Sequence, residues 1–161
     1  MTLLLESIVL CILFTLAISL ISREPIRNLY NYPPQIQERV KMLEEYRDRI
    51  PTGEKKIVKK LAAVVVIVVL FSLILRYING YRTFLNGFAY AFLLWSVINF
   101  YDFIVLDVIW FCHDPHFVLK GTEDMTEAYH DYLFHFKGFL IGECLALVVC
   151  VAVGFLVTLL P

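Results

Sequence analysis

The sequence has no C-x-x-C pair: its four cysteines, Cys11, Cys112, Cys144 and Cys150, are scattered. Three sit inside apolar runs, which argues against a disulfide oxidoreductase or a cysteine-only metal centre. A glycine-rich phosphate cradle is missing, and so is the G-x-S-x-G elbow of serine hydrolases. Lys and Arg number 14 against 15 Asp and Glu, with no nucleic-acid module, so nucleic acid is not expected as a partner. Histidines paired at depth on facing helices, the pattern of transmembrane haem ligation, are also lacking, as are internal repeats and low-complexity tracts.

What the chain has in abundance is apolar surface. Hydrophobic residues make up 60% of its 161 positions and the mean hydropathy is +0.73. Soluble domains hold about 45–50% apolar residues, so the lipid bilayer is the expected solvent and partner. Runs at residues 2–22, 60–78, 84–111 and 136–160 approach or exceed the roughly 20 residues a spanning helix needs. Residues 1–161 thus read as a single membrane domain. The first run lacks a basic leading region, carries Glu6 and shows no small-residue cleavage site. It reads as a retained anchor.

Orientation follows from the basic residues. Ten of the 14 lie between Arg23 and Lys60, which makes loop 23–59 cytoplasmic by the positive-inside rule. Loop 112–135 then faces the same side, and both termini face outward. Within the first loop, Tyr32-Pro33-Pro34 interrupts the helix, and Gln35 to Arg49 shows helical periodicity with Ile36, Val40, Leu43 and Tyr46 on one side. That pattern predicts a cytoplasmic amphipathic helix lying in the membrane interface. Asn79-Gly80 marks a tight turn between the second and third spans. After Gly121, Thr122 is placed to cap a helix leading into the fourth span. In that span Gly138, Gly142, Ala146, Cys150 and Gly154 recur every fourth residue. Such a small-residue ridge serves close packing within the chain or a homodimer seam.

Candidate chemistry is concentrated between Asp102 and Glu143, a window holding all four histidines and eight of the 15 carboxylates. Asp102 lies about 15 Å inside the cytoplasmic end of its span at the helical rise. Facing lipid there would cost about 2.5–3.5 kcal/mol on insertion scales. It is therefore expected to face protein or a wet cavity, or to be protonated, with Asn99 one turn earlier. Glu143 enters the fourth span to a similar depth, and the two carboxylates could share a proton or bind a cation. Asp107 is shallower and pairs most simply with Lys59, Lys60 or Lys137. His113 and His116, Glu127 and His130, and His135 oriented by Asp131 are the candidate ligands for a divalent transition metal. Glu-x-x-His also occurs in di-iron bundles, which need two such elements where this chain has one.

Trp110-x-Cys112-His113 followed by Gly121-Thr122-Glu123-Asp124-Met125, with Asp102 and Asp107 upstream, resembles a family of small four-span bacterial membrane proteins of unassigned function. The resemblance covers mainly residues 95–145. It implies a bacterial cytoplasmic-membrane location and makes the third span, its loop and the fourth span the characteristic unit. No activity comes with it.

The expected fold is all-α: four transmembrane helices in a bundle plus one interfacial helix. Two functions are compatible with that. One is a metal-assisted enzyme acting on a lipid or other amphiphile, with a metal-bound water as nucleophile. The other is non-enzymatic, a permease-type ion- or solute-translocating subunit or a partner-binding component of a membrane complex, in which Asp102 and Glu143 carry protons or cations.

Overall fold

The computed structural model describes residues 3–50 and 53–161, apart from the side chains of residues 53–57, 59 and 60. The described residues contain helices and turns and no strand. Four helices are long and apolar enough to cross a membrane. They are α1 (Leu3–Ile21), α3 (Gly53–Leu73, continued by a π-helical turn Ile74–Ile78), α4 (Phe84–Tyr101, continued by a π-helix Asp102–Phe111) and α6 (Tyr132–Leu159). Between them lie the short helices α2 (Pro34–Met42) and α5 (Thr126–Tyr129) and 3₁₀ turns at Pro25–Asn31, Glu44–Tyr46 and Pro115–Phe117.

Helices α4 and α6 run antiparallel in close contact, with α1 against α4 and α3 against α6. The small-residue ridge explains the close approach. Ala146 and Cys150 are fully buried, and a Cβ on Gly154 would sit 2.9 Å from the Phe84 ring and 3.0 Å from its carbonyl oxygen. A Cβ on Gly142 would meet the Asn99 amide at 2.5 Å. The ridge is therefore occupied by α4 of the same chain, the intramolecular use of the motif. Gly138 is the exception: a Cβ there would have nothing within 4 Å of it. At the far end of the helices Gly80 takes φ +73°, the left-handed conformation a tight turn needs. There the buried Glu6 carboxylate accepts from Asn79 Nδ2 at 3.0 and 3.2 Å.

At the opposite end, residues 23–50 and 112–131 build a cap with its own core of Ile26, Leu29, Tyr32, Ile36, Val40, Tyr46, Leu119 and Tyr129. Tyr32 donates to the Phe117 carbonyl at 3.0 Å and Tyr46 to the Lys120 carbonyl at 3.3 Å. Arg39 pairs with Asp124 at 2.8 Å on the outside.

Two local expectations need correction here. The amphipathic segment is not one helix over Gln35–Arg49: α2 ends at Met42, Leu43 is extended, and a 3₁₀ turn follows. Its apolar face is covered by the cap core rather than left free, because the returning loop supplies Leu119 and Tyr129. Thr122 is not a helix cap. Its buried hydroxyl bonds the Leu119 carbonyl at 2.6 Å and the Tyr129 hydroxyl at 2.7 Å. Asp131 does the capping, accepting from Phe134 N at 2.9 Å to open α6.

Candidate functional site

A cavity of about 480 Å³ lies between the cap and the long helices. The π-helical end of α4 contributes Asp102, Leu106, Asp107 and Trp110 to its wall. The start of α6 contributes Phe134, His135, Gly138 and Phe139, and the end of α1 with the turn after it contributes Ile18, Ser22, Asn28 and Tyr32. Its volume is that of a small-molecule site, within the usual range of about 300–1,000 Å³.

The π-helix decides which side chains share this space. In an α-helix, residues five apart point about 140° away from each other. Winding i to i+5 widens the turn and brings such residues back toward one face. Asp102 and Asp107 are five apart and both line the cavity. Sustained π-helix is rare and π-bulges gather at functional sites, and here ten residues adopt it.

Asp107 Oδ2 lies 3.2 Å from Nδ1 of His135, whose ring is only 3% exposed. One sequence expectation is replaced by this and another is answered only in part. Asp131 is engaged at the α6 N-terminus and does not orient His135. Asp107 has a histidine partner, while Lys59 and Lys60 lie outside the described side chains. Nε2 of His135 is buried without a hydrogen-bond partner among the described residues.

Asp102 and Glu143 occupy different environments. Glu143 accepts from Ser96 Oγ at 2.8 Å and Asn99 Nδ2 at 2.8 Å, and Asn99 also donates to the Phe139 carbonyl at 3.0 Å. Two helix-to-helix bonds thus satisfy Glu143 and clamp α4 to α6. Asn99 serves that clamp and makes no hydrogen bond to Asp102. The Asp102 carboxylate, half-buried on the cavity wall, makes no hydrogen bond or ion pair among the described residues.

The metal-ligand candidates are spread out. His116 Nε2 meets the Ser22 carbonyl at 2.8 Å and His113 Nδ1 the Val108 carbonyl at 2.9 Å, so each of these nitrogens carries a proton. His130 packs edge-on to His113 at 5.1 Å between centroids, and Glu127 is exposed on α5. His135 is apart with Asp107. Among the described residues no group of three His, Cys, Asp or Glu side chains is arranged to hold a metal ion.

Asp114 ties the cavity to the cap. It accepts from His116 N at 2.9 Å and from the Trp110 indole N–H at 2.9 Å. Those bonds, the His116 amide first, hold its carboxyl below the usual carboxylate range. In the cap core, burial raises the Tyr32 hydroxyl well above its ordinary range, so it remains a donor to Phe117.

Sequence reasoning did not find the α1 side of the cavity. Ser22, Asn28 and Tyr32 line it, and Asn28 donates to the Ile21 carbonyl at 3.1 Å where α1 ends. The available signal was two uncharged polar residues, Asn28 and Asn31, inside an otherwise basic segment. Comparison with protein-family models, curated proteins and solved structures finds no match to this chain.

Proposed function

We propose that the four long helices cross a bilayer as a bundle with the cap on the cytoplasmic side. On this reading the cavity binds an amphiphilic molecule at the membrane boundary. The lipid-crossing part of the reading is supported by the outward faces of the helices. Leu4, Ile12, Leu16 and Leu20 of α1, and Leu61, Val65 and Val69 of α3, are exposed, as are Ile141, Val148 and Phe155 of α6. Continuous apolar surface on that scale goes far beyond the few-hundred-Å² patches of soluble monomers.

The observation that carries the functional reading is the cavity's mixed wall. Phe103, Phe134 and Phe139 suit an apolar body, while Asp102, the Asp107–His135 pair, Ser22 and Asn28 suit a polar head. The Asp107 carboxylate lies 3.2 Å from Nδ1 of the His135 imidazole, a pairing of the kind used for proton transfer. Asp107 and His135 are the groups proposed to exchange a proton with the occupant. Below Asn99 the α4–α6 contact continues through Gly142, Ala146 and Cys150 to Gly154, which favours a dead-end site over a translocation path.

Trp110 provides the test, since Trp95 is the other tryptophan and can be replaced by Phe. In nanodiscs, bromodecanol should quench Trp110 of the Trp95→Phe protein with a saturable component. Gly138→Phe, which adds a ring where the helix surface is open, should remove that component. Identical, non-saturating quenching in both proteins would mean that the cavity takes no amphiphile.

A further inference from the structure

From the charge on the cavity wall we infer that the occupant carries an ammonium head, so that the site selects amphiphilic amines. This rests on the amphiphile-binding reading above. Among the described residues, the charged or titratable acid–base side chains lining the cavity are Asp102, Asp107 and His135, together with the phenols Tyr30 and Tyr32. No lysine or arginine among them lines it: Arg27 is turned outward to Glu24 at 2.8 Å, and Arg39 to Asp124. With His135 engaged by Asp107, Asp102 is left without a donor among the described residues, and as a carboxylate it would only accept.

A second group in the same wall also lacks a partner. His135 is 3% exposed, and its Nε2 has no hydrogen bond among the described residues although Nδ1 lies 3.2 Å from Asp107. Buried polar atoms are nearly always bonded, and exceptions mark strain, a catalytic role or an absent ligand. Trp110, Phe103 and Phe111 add aromatic rings to the wall. Aromatic faces attract a cation near a carboxylate and give nothing to an anion. A neutral head could donate one hydrogen bond to Asp102 but would leave its charge uncompensated. An anionic head would be repelled. An ammonium both donates to Asp102 and neutralises it, and its chain then lies along Phe134 and Phe139. The same chemistry is offered by a membrane aminophospholipid and by a free long-chain amine.

The test uses the full chain carrying Trp95→Phe in phosphatidylcholine nanodiscs, with Trp110 as reporter. Decylammonium, decanol and decyl sulfate are each titrated, and the component abolished by Gly138→Phe is taken as site binding. Decylammonium should bind about tenfold or more tighter than decanol, the scale of a charge-assisted hydrogen bond, and decyl sulfate should bind weakest. Asp102→Asn should bring decylammonium to the level of decanol. Equal binding of the ammonium and the alcohol, or tighter binding of the sulfate, overturns the ammonium assignment while leaving an amphiphile site. If no probe shows a Gly138→Phe-sensitive component, both readings fail. The headgroup series stands without Asp102→Asn, so poor folding of that variant does not rescue the inference. Phosphatidylethanolamine included in the nanodisc should compete with decylammonium if the source is lipid, and should leave it unaffected if the source is a free amine.

Discussion

His135 of α6 and Asp107 of α4 meet at 3.2 Å, and this contact joins the two central helices where they border the cavity. The imidazole is almost fully enclosed, while the carboxylate keeps about a third of its surface. Removing the carboxylate leaves the buried imidazole without its partner, at a cost of about 1–3 kcal/mol. Asp107→Ala should therefore lower the unfolding free energy in detergent by that amount. Asp107→Ala with His135→Leu should cost clearly less than the two changes summed. Strict additivity in the double-mutant cycle would show that the two side chains do not interact.

Two glycines four residues apart on α6 should respond in opposite directions. Gly142→Ala places a methyl 2.5 Å from Asn99 Oδ1, on an amide held by Phe139 O and Glu143. Moving that amide breaks interhelical bonds, so a loss of about 1–3 kcal/mol is expected. Gly138→Ala meets nothing within 4 Å and gains about 0.5–1 kcal/mol from helix propensity. Thermal unfolding in one detergent compares them directly, and a stable Gly142→Ala protein would refute the tight α4–α6 approach. In an Asn99→Ala background the Gly142→Ala penalty should shrink.

Acid should loosen the cap through Asp114. Its carboxyl is held below the ordinary range by the His116 amide and the Trp110 indole. A depressed pKa in the folded state stabilises the fold above the unfolded-state value, and that contribution is lost as pH falls through the folded one. The Asp114 contribution should be constant from neutral pH to about pH 4 and decline below it. Trp110 emission in Trp95→Phe protein reads the decline. Asp114→Asn should remove this part of the acid response, and an unchanged profile would assign the transition to other carboxylates.

The proposed orientation can be checked in cells. Thr126 is exposed at the start of α5, on the cap. A membrane-impermeant maleimide should leave Thr126→Cys unmodified in intact cells and label it after permeabilisation, against the same protein without the substitution. Labelling of intact cells would put the cap outside and reverse the topology.

The four long helices were legible because their signal is compositional. Runs at 2–22, 60–78 and 84–111 correspond to Leu3–Ile21, Leu61–Ile78 and Phe84–Phe111, and the fourth helix begins at Tyr132 where the sequence placed it at 136. The turn at Asn79-Gly80 was legible for the same local reason. Pairings across the chain were not. Asn99 lies one turn from Asp102 yet serves Glu143, because α6 brings Gly142 and Glu143 onto it. Asp131 is spaced correctly for His135, yet the open amides of the α6 N-terminus claim it first. The α-helical period assumed for the third span also separates Asp102 from Asp107, whereas the π-helix gathers them. No hydrophobic pattern in one sequence announces that change of winding.

That change of winding has a further consequence. A ten-residue stretch wound from Asp102 to Phe111 stores more chain per turn than the α-helix before it. It behaves like an insertion absorbed without a bulging loop, and it resets the rotational phase of everything downstream. His116 reaches Ser22 across the cap in that phase. Chain length between Asp102 and Phe111 therefore acts as a setting that the sequence composition does not record. One residue fewer, with every side-chain type retained, would turn the cap relative to the cavity it covers.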